Sequence, residues 1–217
     1  KALGATLLQV TDVPGFPELL TNGLSMEGLD RVFKAFAKQN GWYYLNQCAD
    51  INNSLAHVKG TGPEIWEATG GKVDYVVQLV DTGGTLSGLA KYFREKNPDV
   101  KIIGDQSAEQ SKKNPNFPDR NTIDGVLNFN GVPEQNYPPL FTAFDTKWDE
   151  CFDVVAEDAY ETGRKLVSTE GFFVGQSAGA ALWVASQVSK RPEAKGKNIV
   201  VILADNAFKY LSTNMYK

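Results

Sequence analysis

A chain of 217 residues, 42% of them hydrophobic, is long enough to bury one large core or one and a half smaller ones. Its net charge of −4, with a pI near 5.1 and no basic block, argues against nucleic acid as a partner. The longest apolar runs, such as residues 198–204, are too short to span a bilayer, and no charged-then-apolar signal segment opens the chain.

The opening KALGATLLQV reads as the tail of a helix running into a strand over residues 3–10. A start in mid-unit, without an initiator Met, leads us to expect a segment upstream. Apolar spacing predicts an amphipathic helix over residues 26–39, with Leu29, Val32, Phe33 and Phe36 inward. The stretch GWYYLNQ, residues 41–47, reads as an aromatic strand. Thr61-Gly62-Pro63-Glu64 signals a helix start, with Pro63 near the first helical position. Residues 73–80 form an apolar, β-branched strand that stops at Asp81. Thr82-Gly83-Gly84-Thr85 then opens a helix with Leu86, Leu89, Ala90 and Phe93 on one face. A strand over residues 101–105 follows.

Between residues 106 and 150 the pattern gives way to Pro, Asn and polar residues, a long irregular stretch of the kind that is functional or mobile. Beyond it come a strand over residues 151–155, a helix over 157–169 and a short strand at FFVG. A helix over 177–190 and a last buried strand over 198–205 complete the chain. No repeat or low-complexity tract occurs. Strands alternating with helices predict an α/β fold: a mostly parallel open sheet with helices on both faces.

Three corners follow strands and would lie together at the carboxyl ends of such a sheet: residues 81–85, 175–182 and 204–213. Glycines in the first would let backbone approach a ligand, and the free N–H groups of a helix start favour an anion. A plain strand-to-helix connection also needs small residues, so this corner alone leaves both readings open. The second corner is equally compatible with close packing through Gly175, Ala178 and Gly179. Cys48 and Cys151 suit a reducing, cytoplasmic setting. They form no metal pattern, and with a single histidine a zinc site is not expected. His57 reads as a hydrogen-bonded residue at a helix start rather than a catalyst.

Taken together, TGPEIWE, DTGGTLSG, KNPDVKIIG, EDAYETGRKLVSTEGFFVGQSAGAAL and KGKNIVVILAD…KYLST resemble the fold-type II pyridoxal-phosphate (PLP) enzymes. The branch is that of cysteine synthase (O-acetylserine sulfhydrylase) and cystathionine β-synthase, and the likeness runs from Lys1 to about Thr213. The resemblance implies the tryptophan synthase β-like fold, with residues 1–45 as the remainder of a smaller N-terminal domain and 46–217 as the larger PLP-binding domain. It implies pyridoxal 5′-phosphate as cofactor, its phosphate on Thr82, Gly83, Gly84 and Thr85. Gln47, after Asn46, would meet the substrate carboxylate. Gly175 would line the cofactor ring, Asp205 would face the pyridine nitrogen, and residues 123–133 would form a loop near the site entrance. The implied reaction is β-replacement or β-elimination on cysteine, serine or O-acetylserine through an aminoacrylate, with a thiol, sulfide or water as second reactant. A homodimer is implied as well.

Two departures from that family carry weight. Asp81 replaces a glycine, and a carboxylate beside a phosphate repels it unless it points away or meets a cation. Asp205 replaces a Ser or Thr. A carboxylate there would hold the ring nitrogen protonated and strengthen the electron sink, favouring elimination; alternatively Asp205 caps residues 206–210. The family's Schiff-base lysine and its asparagine-containing substrate loop lie upstream of the matching segments, and no lysine of this chain takes that place. The catalytic lysine is therefore unassigned. Two other readings stay open: a non-catalytic binding module of the same fold, and a serine/threonine dehydratase.

Overall fold

A computed structural model describes residues 3–23 and 25–217; the first two residues of the expected opening helix tail lie outside it. The chain divides into two compact units, Lys1–Asn46 and Gln47–Lys217.

The first unit holds α1 (Phe16–Asn22) and α2 (Met26–Gln39). Ser25 caps α2 by accepting the Gly28 amide at 3.0 Å. The helix forms over the predicted residues, and Phe33 meets the Phe16 ring with centroids 6.0 Å apart. The two strands expected here do not form. Residues 3–10 are exposed and pair with none of the four strands, so their backbone groups find no ladder. In residues 41–47 the aromatic rings fold back onto α2 instead of alternating across a sheet. Trp42 packs edge-on to Phe36 at 5.6 Å, and Tyr44 lies 6.3 Å from Phe33.

The second unit begins with α3 (Ile51–Ala56), capped by Asp50 through the Asn52 amide at 2.9 Å. A wide turn of π geometry, His57–Thr61, carries the helix on into α4 (Gly62–Ala68). Thr61 is thus inside a continuous helical run, not at its start. Pro63 lacks an amide and would crowd the carbonyl four residues back in a regular helix. The widened turn, in which the Gly62 amide reaches the His57 carbonyl, accommodates it.

Next come β1 (Tyr75–Leu79), α5 (Gly84–Lys96), β2 (Lys101–Ser107) and the short α6 (Pro139–Ala143). They are followed by β3 (Glu150–Val154), α7 (Ala156–Glu170), α8 (Gln176–Ser189) and β4 (Ile199–Val201). Residues 172–175 make only an isolated antiparallel bridge, Val174 to Asn206, instead of a strand. The last strand is short and half-buried, because it sits at a sheet edge.

All four strands are parallel, in the order β3-β2-β1-β4. Strand alternation sorts the core into two layers. Tyr75 and Val77 join Ile103 and Val154 beneath α7 and α8. Val76 and Val80 join Ile102 beneath α5, whose Leu86, Leu89 and Phe93 are fully buried. Both faces are covered, as a parallel sheet requires. No helix among the described residues is long and apolar enough to cross a membrane.

One buried residue strains this arrangement. Asp105 of β2 is wholly enclosed, and neither carboxyl oxygen has a hydrogen-bond partner among the described residues. Burial pushes its pKa up to about 8, from an ordinary value of 3.8. The folded state therefore keeps a proton that the unfolded chain loses. The stabilising contribution is fully present below pH 3.8 and is lost as pH rises through about 8. Asp105→Asn cannot titrate. Its melting temperature relative to wild type is expected to be roughly 8–16 °C higher at about pH 9 than at about pH 5. An offset that does not change with pH would contradict a buried neutral carboxyl.

Candidate active site

A cavity of about 290 Å³ opens at the carboxyl ends of β1 and β4. Its walls come from all three corners singled out in the sequence: Asp81 to Leu86, Ser177, and the segment holding Ala204, Asp205, Lys209 and Tyr210. Gln47, Asn53, Asp124 and Gly125 line it as well, with Gln78 and Leu79 at the end of β1. Open parallel sheets bind ligands in this position.

The turn after β1 is built by Gly83, whose φ of +88° lies in the left-handed region. A residue with a Cβ would pay about 1–2 kcal/mol there. The Phe141 ring, 3.0 Å from where that atom would sit, closes the space as well. The bend turns the chain directly into α5, and no side chain caps the helix start. The first amides of a 13-residue helix thus face the cavity alongside the Thr82 and Thr85 hydroxyls. An uncapped helix start with two flanking hydroxyls is an anion cradle.

Across the cavity, Asp205 accepts a hydrogen bond from the Tyr210 hydroxyl at 2.7 Å through Oδ2. Its Oδ1 is buried and has no partner among the described residues. The capping role belongs to the next residue, Asn206, which accepts the Phe208 amide at 3.1 Å. Burial, then the bond to Asp205, raises the Tyr210 pKa, so the phenol stays a donor. Gly175 stands one layer back. Its amide donates to the Asp205 carbonyl at 3.0 Å, and a Cβ on it would overlap the Asp205 carboxylate. Gly175 therefore fixes where Asp205 lies. The rest of the small-residue run packs α8 onto α7: a Cβ on Gly179 would overlap the Ala159 carbonyl.

The loop of residues 123–133 reaches the cavity through Asp124 and Gly125. Buried Gln176 ties it down by accepting the Asp124 amide at 2.9 Å. Its Nε2 donates to the Tyr160 hydroxyl at 2.9 Å, and that hydroxyl donates to the Thr122 carbonyl at 2.7 Å. Gln47 lies at the rim in a turn rather than at a strand end, and its carbonyl accepts from the Asn53 amide at 2.7 Å. Asp81 is half-buried at the wall and accepts the backbone amide of Thr82. Burial raises its pKa, with that bond opposing. A carboxyl biased toward its neutral form repels an anion less than a free carboxylate does.

Sequence reasoning missed Asn53, Lys209 and Tyr210. Asn53 lies on α3, whose extent the Pro63 signal obscured. Tyr210 and Lys209 lie within the third corner, but only contacts reveal which of its side chains turn inward. Lys209 lies 5.2 Å over the Tyr210 ring.

Comparison with known proteins gives consistent matches. The profile of a family described as "Pyridoxal-phosphate dependent enzyme" matches residues 1–205. Cysteine synthase B of Escherichia coli (strain K12) is 33% identical over 217 residues, covering 100% of this chain and 62% of that protein. Cysteine synthase of Aquifex aeolicus (strain VF5) is 33% identical over 218 residues, covering 100% of this chain and 60% of that protein. The crystal structure of O-acetyl serine sulfhydrylase isoform 3 from Entamoeba histolytica superposes with a TM-score of 0.75 at 29% identity, over 99% of this chain and 59% of that one. The chain spans about three fifths of the length of these proteins.

The position of Asp81 has a measurable consequence. As pH rises and its carboxyl ionises, an anion on the adjoining turn is repelled. Asp81→Asn is expected to tighten binding of inorganic phosphate by about threefold to tenfold at about pH 8, the gain shrinking as pH falls and the wild-type carboxyl takes up its proton, as calorimetry would measure. Equal phosphate affinities for variant and wild type at about pH 8 would put the anion elsewhere.

Proposed function

The chain belongs to the pyridoxal-phosphate dependent enzyme family, and from that premise we propose that its cavity holds pyridoxal 5′-phosphate for β-replacement on a small amino acid. Cysteine, serine or O-acetylserine is the amino-acid substrate, and sulfide, a thiol or water is the second reactant. One observation carries the reading: an uncapped helix start and the Asp205 carboxyl group line one cavity. These two features fit the two ends of a phosphorylated pyridine. The α5 amides and the Thr82 and Thr85 hydroxyls take the dianion, and the Asp205 carboxyl group takes a protonated ring nitrogen. Resemblance to proteins named cysteine synthase supports the choice of reaction.

Bound there, the cofactor supplies an electron sink for the bonds at the substrate's α-carbon. The chain's own residues set its pose and tune it. Gly83 aims the amides. Gly175 and Tyr210 hold Asp205, whose negative charge keeps a proton on the ring nitrogen facing it. Gln47, at the rim, offers an amide to the substrate carboxylate. Asp124 and Gly125 form the far wall, braced by Gln176. Residues 46–217 are then the cofactor-holding domain. On the family likeness we place the protein in the cytoplasm as a homodimer.

Asp205 also favours a second outcome, elimination, because a protonated ring withdraws charge more strongly. The natural polypeptide that carries this sequence, supplied with pyridoxal 5′-phosphate, O-acetylserine and sulfide, is expected to form cysteine and release acetate. Pyruvate measures the elimination branch. Asp205→Ser is expected to lower the pyruvate-to-cysteine ratio by about tenfold. An unchanged ratio would remove Asp205 from the chemistry, and no turnover of any of the three amino acids would overturn the proposal.

A further inference from the structure

His57 is not at the cavity wall, yet both of its ring nitrogens are engaged. Nε2 lies 3.1 Å from the Thr85 hydroxyl, and Nδ1 lies 3.0 Å from the Thr61 hydroxyl. Thr85 is the second residue of α5 and one of the two hydroxyls of the anion cradle. A hydroxyl has one proton to give. If it spends that proton on the imidazole, it turns only lone pairs toward the cavity, and a phosphate oxygen gains nothing from it. If the imidazole donates instead, the Thr85 proton is free to point at the anion.

The second arrangement is the one this neighbourhood is built to hold. The Thr61 hydroxyl can donate to Nδ1, which leaves the ring's single proton on Nε2, facing Thr85. The π turn begins at His57 and brings Thr61 round to meet it. Turns of this kind recur at functional sites. Gly88 of α5 allows the approach: a Cβ there would overlap the Ser54 carbonyl and sit 2.7 Å from the His57 Cβ. One helical turn before His57, Asn53 extends its amide toward the other cradle hydroxyl, Thr82, at 3.5 Å. Burial lowers the His57 pKa, which keeps the ring neutral and able to accept at Nδ1.

We infer that His57 is a positioning residue for the phosphate end of the cavity, donating from Nε2 to the Thr85 hydroxyl so that its proton points at a bound phosphoryl group. The inference rests on the cofactor reading above and adds to it a residue that touches neither cofactor nor substrate. It makes a selective demand. Losing the Nε2 donor weakens ligands that carry a phosphate and spares the same ring without one.

The test compares His57→Gln with His57→Met. These side chains are close in size, and only glutamine has a donor at the ε position. Binding of pyridoxal 5′-phosphate, pyridoxal and inorganic phosphate is measured for wild type and both variants by calorimetry. His57→Met is expected to weaken pyridoxal 5′-phosphate and inorganic phosphate by about tenfold and leave pyridoxal unchanged, with His57→Gln recovering most of the loss. A Met variant that loses pyridoxal in equal measure would reduce His57 to a packing role and overturn the inference. A Met variant that keeps the wild-type preference for the phosphorylated ligand would do the same. Should wild type itself not prefer pyridoxal 5′-phosphate to pyridoxal, the cofactor reading falls and takes this inference with it, a result distinct from the other two.

Discussion

Everything at this site depends on one unsatisfied group of backbone donors. A helix leaves its first amides without internal partners, and soluble proteins usually give them a capping side chain or water. Here the left-handed bend at Gly83 joins β1 to α5, no side-chain cap is made among the described residues, and the helix start lines a cavity. The sheet fixes the position of those amides. β1 is an interior strand, paired in parallel on both sides, and α5 packs onto it through three fully buried residues. The donors therefore cannot relax by fraying. An anion would satisfy such a geometry.

The opposite wall repeats this logic with the sign reversed. Asp205 stands at the cavity wall, its orientation fixed by Tyr210 on one oxygen and by the bare backbone of Gly175 against the other. An acceptor at one end and donors at the other define an axis. A ligand with a phosphate at one extremity and a protonated nitrogen at the other would satisfy both. Behind the donors, α3 brings Asn53 to the cavity wall, and the π turn that follows sets the His57 ring against the Thr85 hydroxyl.

The sequence was most legible where one physical period ruled. β1, α5 and β2 were readable because Val76, Val77, Leu86, Leu89, Phe93 and Ile102 are buried and follow their own repeats. The glycine turn was readable because only a residue without a Cβ takes that backbone. Strands were misread at residues 3–10 and 41–47. A β-like apolar pattern is only a capacity to pair, and pairing is decided by neighbours far along the chain. Trp42 and Tyr44 found α2 instead. Pro63 misled for a different reason: the rule that proline begins a helix assumes regular helical pitch, and the π turn breaks that assumption. Asp205 was legible as a departure from the resembling family. Its partner Tyr210 was not, since a contact five residues apart in an irregular segment has no periodic signature.

The account's central claim is that the amides opening α5 grip a phosphoryl group. Backbone resonances followed by NMR during titration with pyridoxal 5′-phosphate test it most directly. The account predicts saturable shifts of the Gly83, Gly84 and Thr85 amides, reproduced in direction by inorganic phosphate. Shifts confined to other parts of the chain, with these three amides unmoved at saturation, would contradict it.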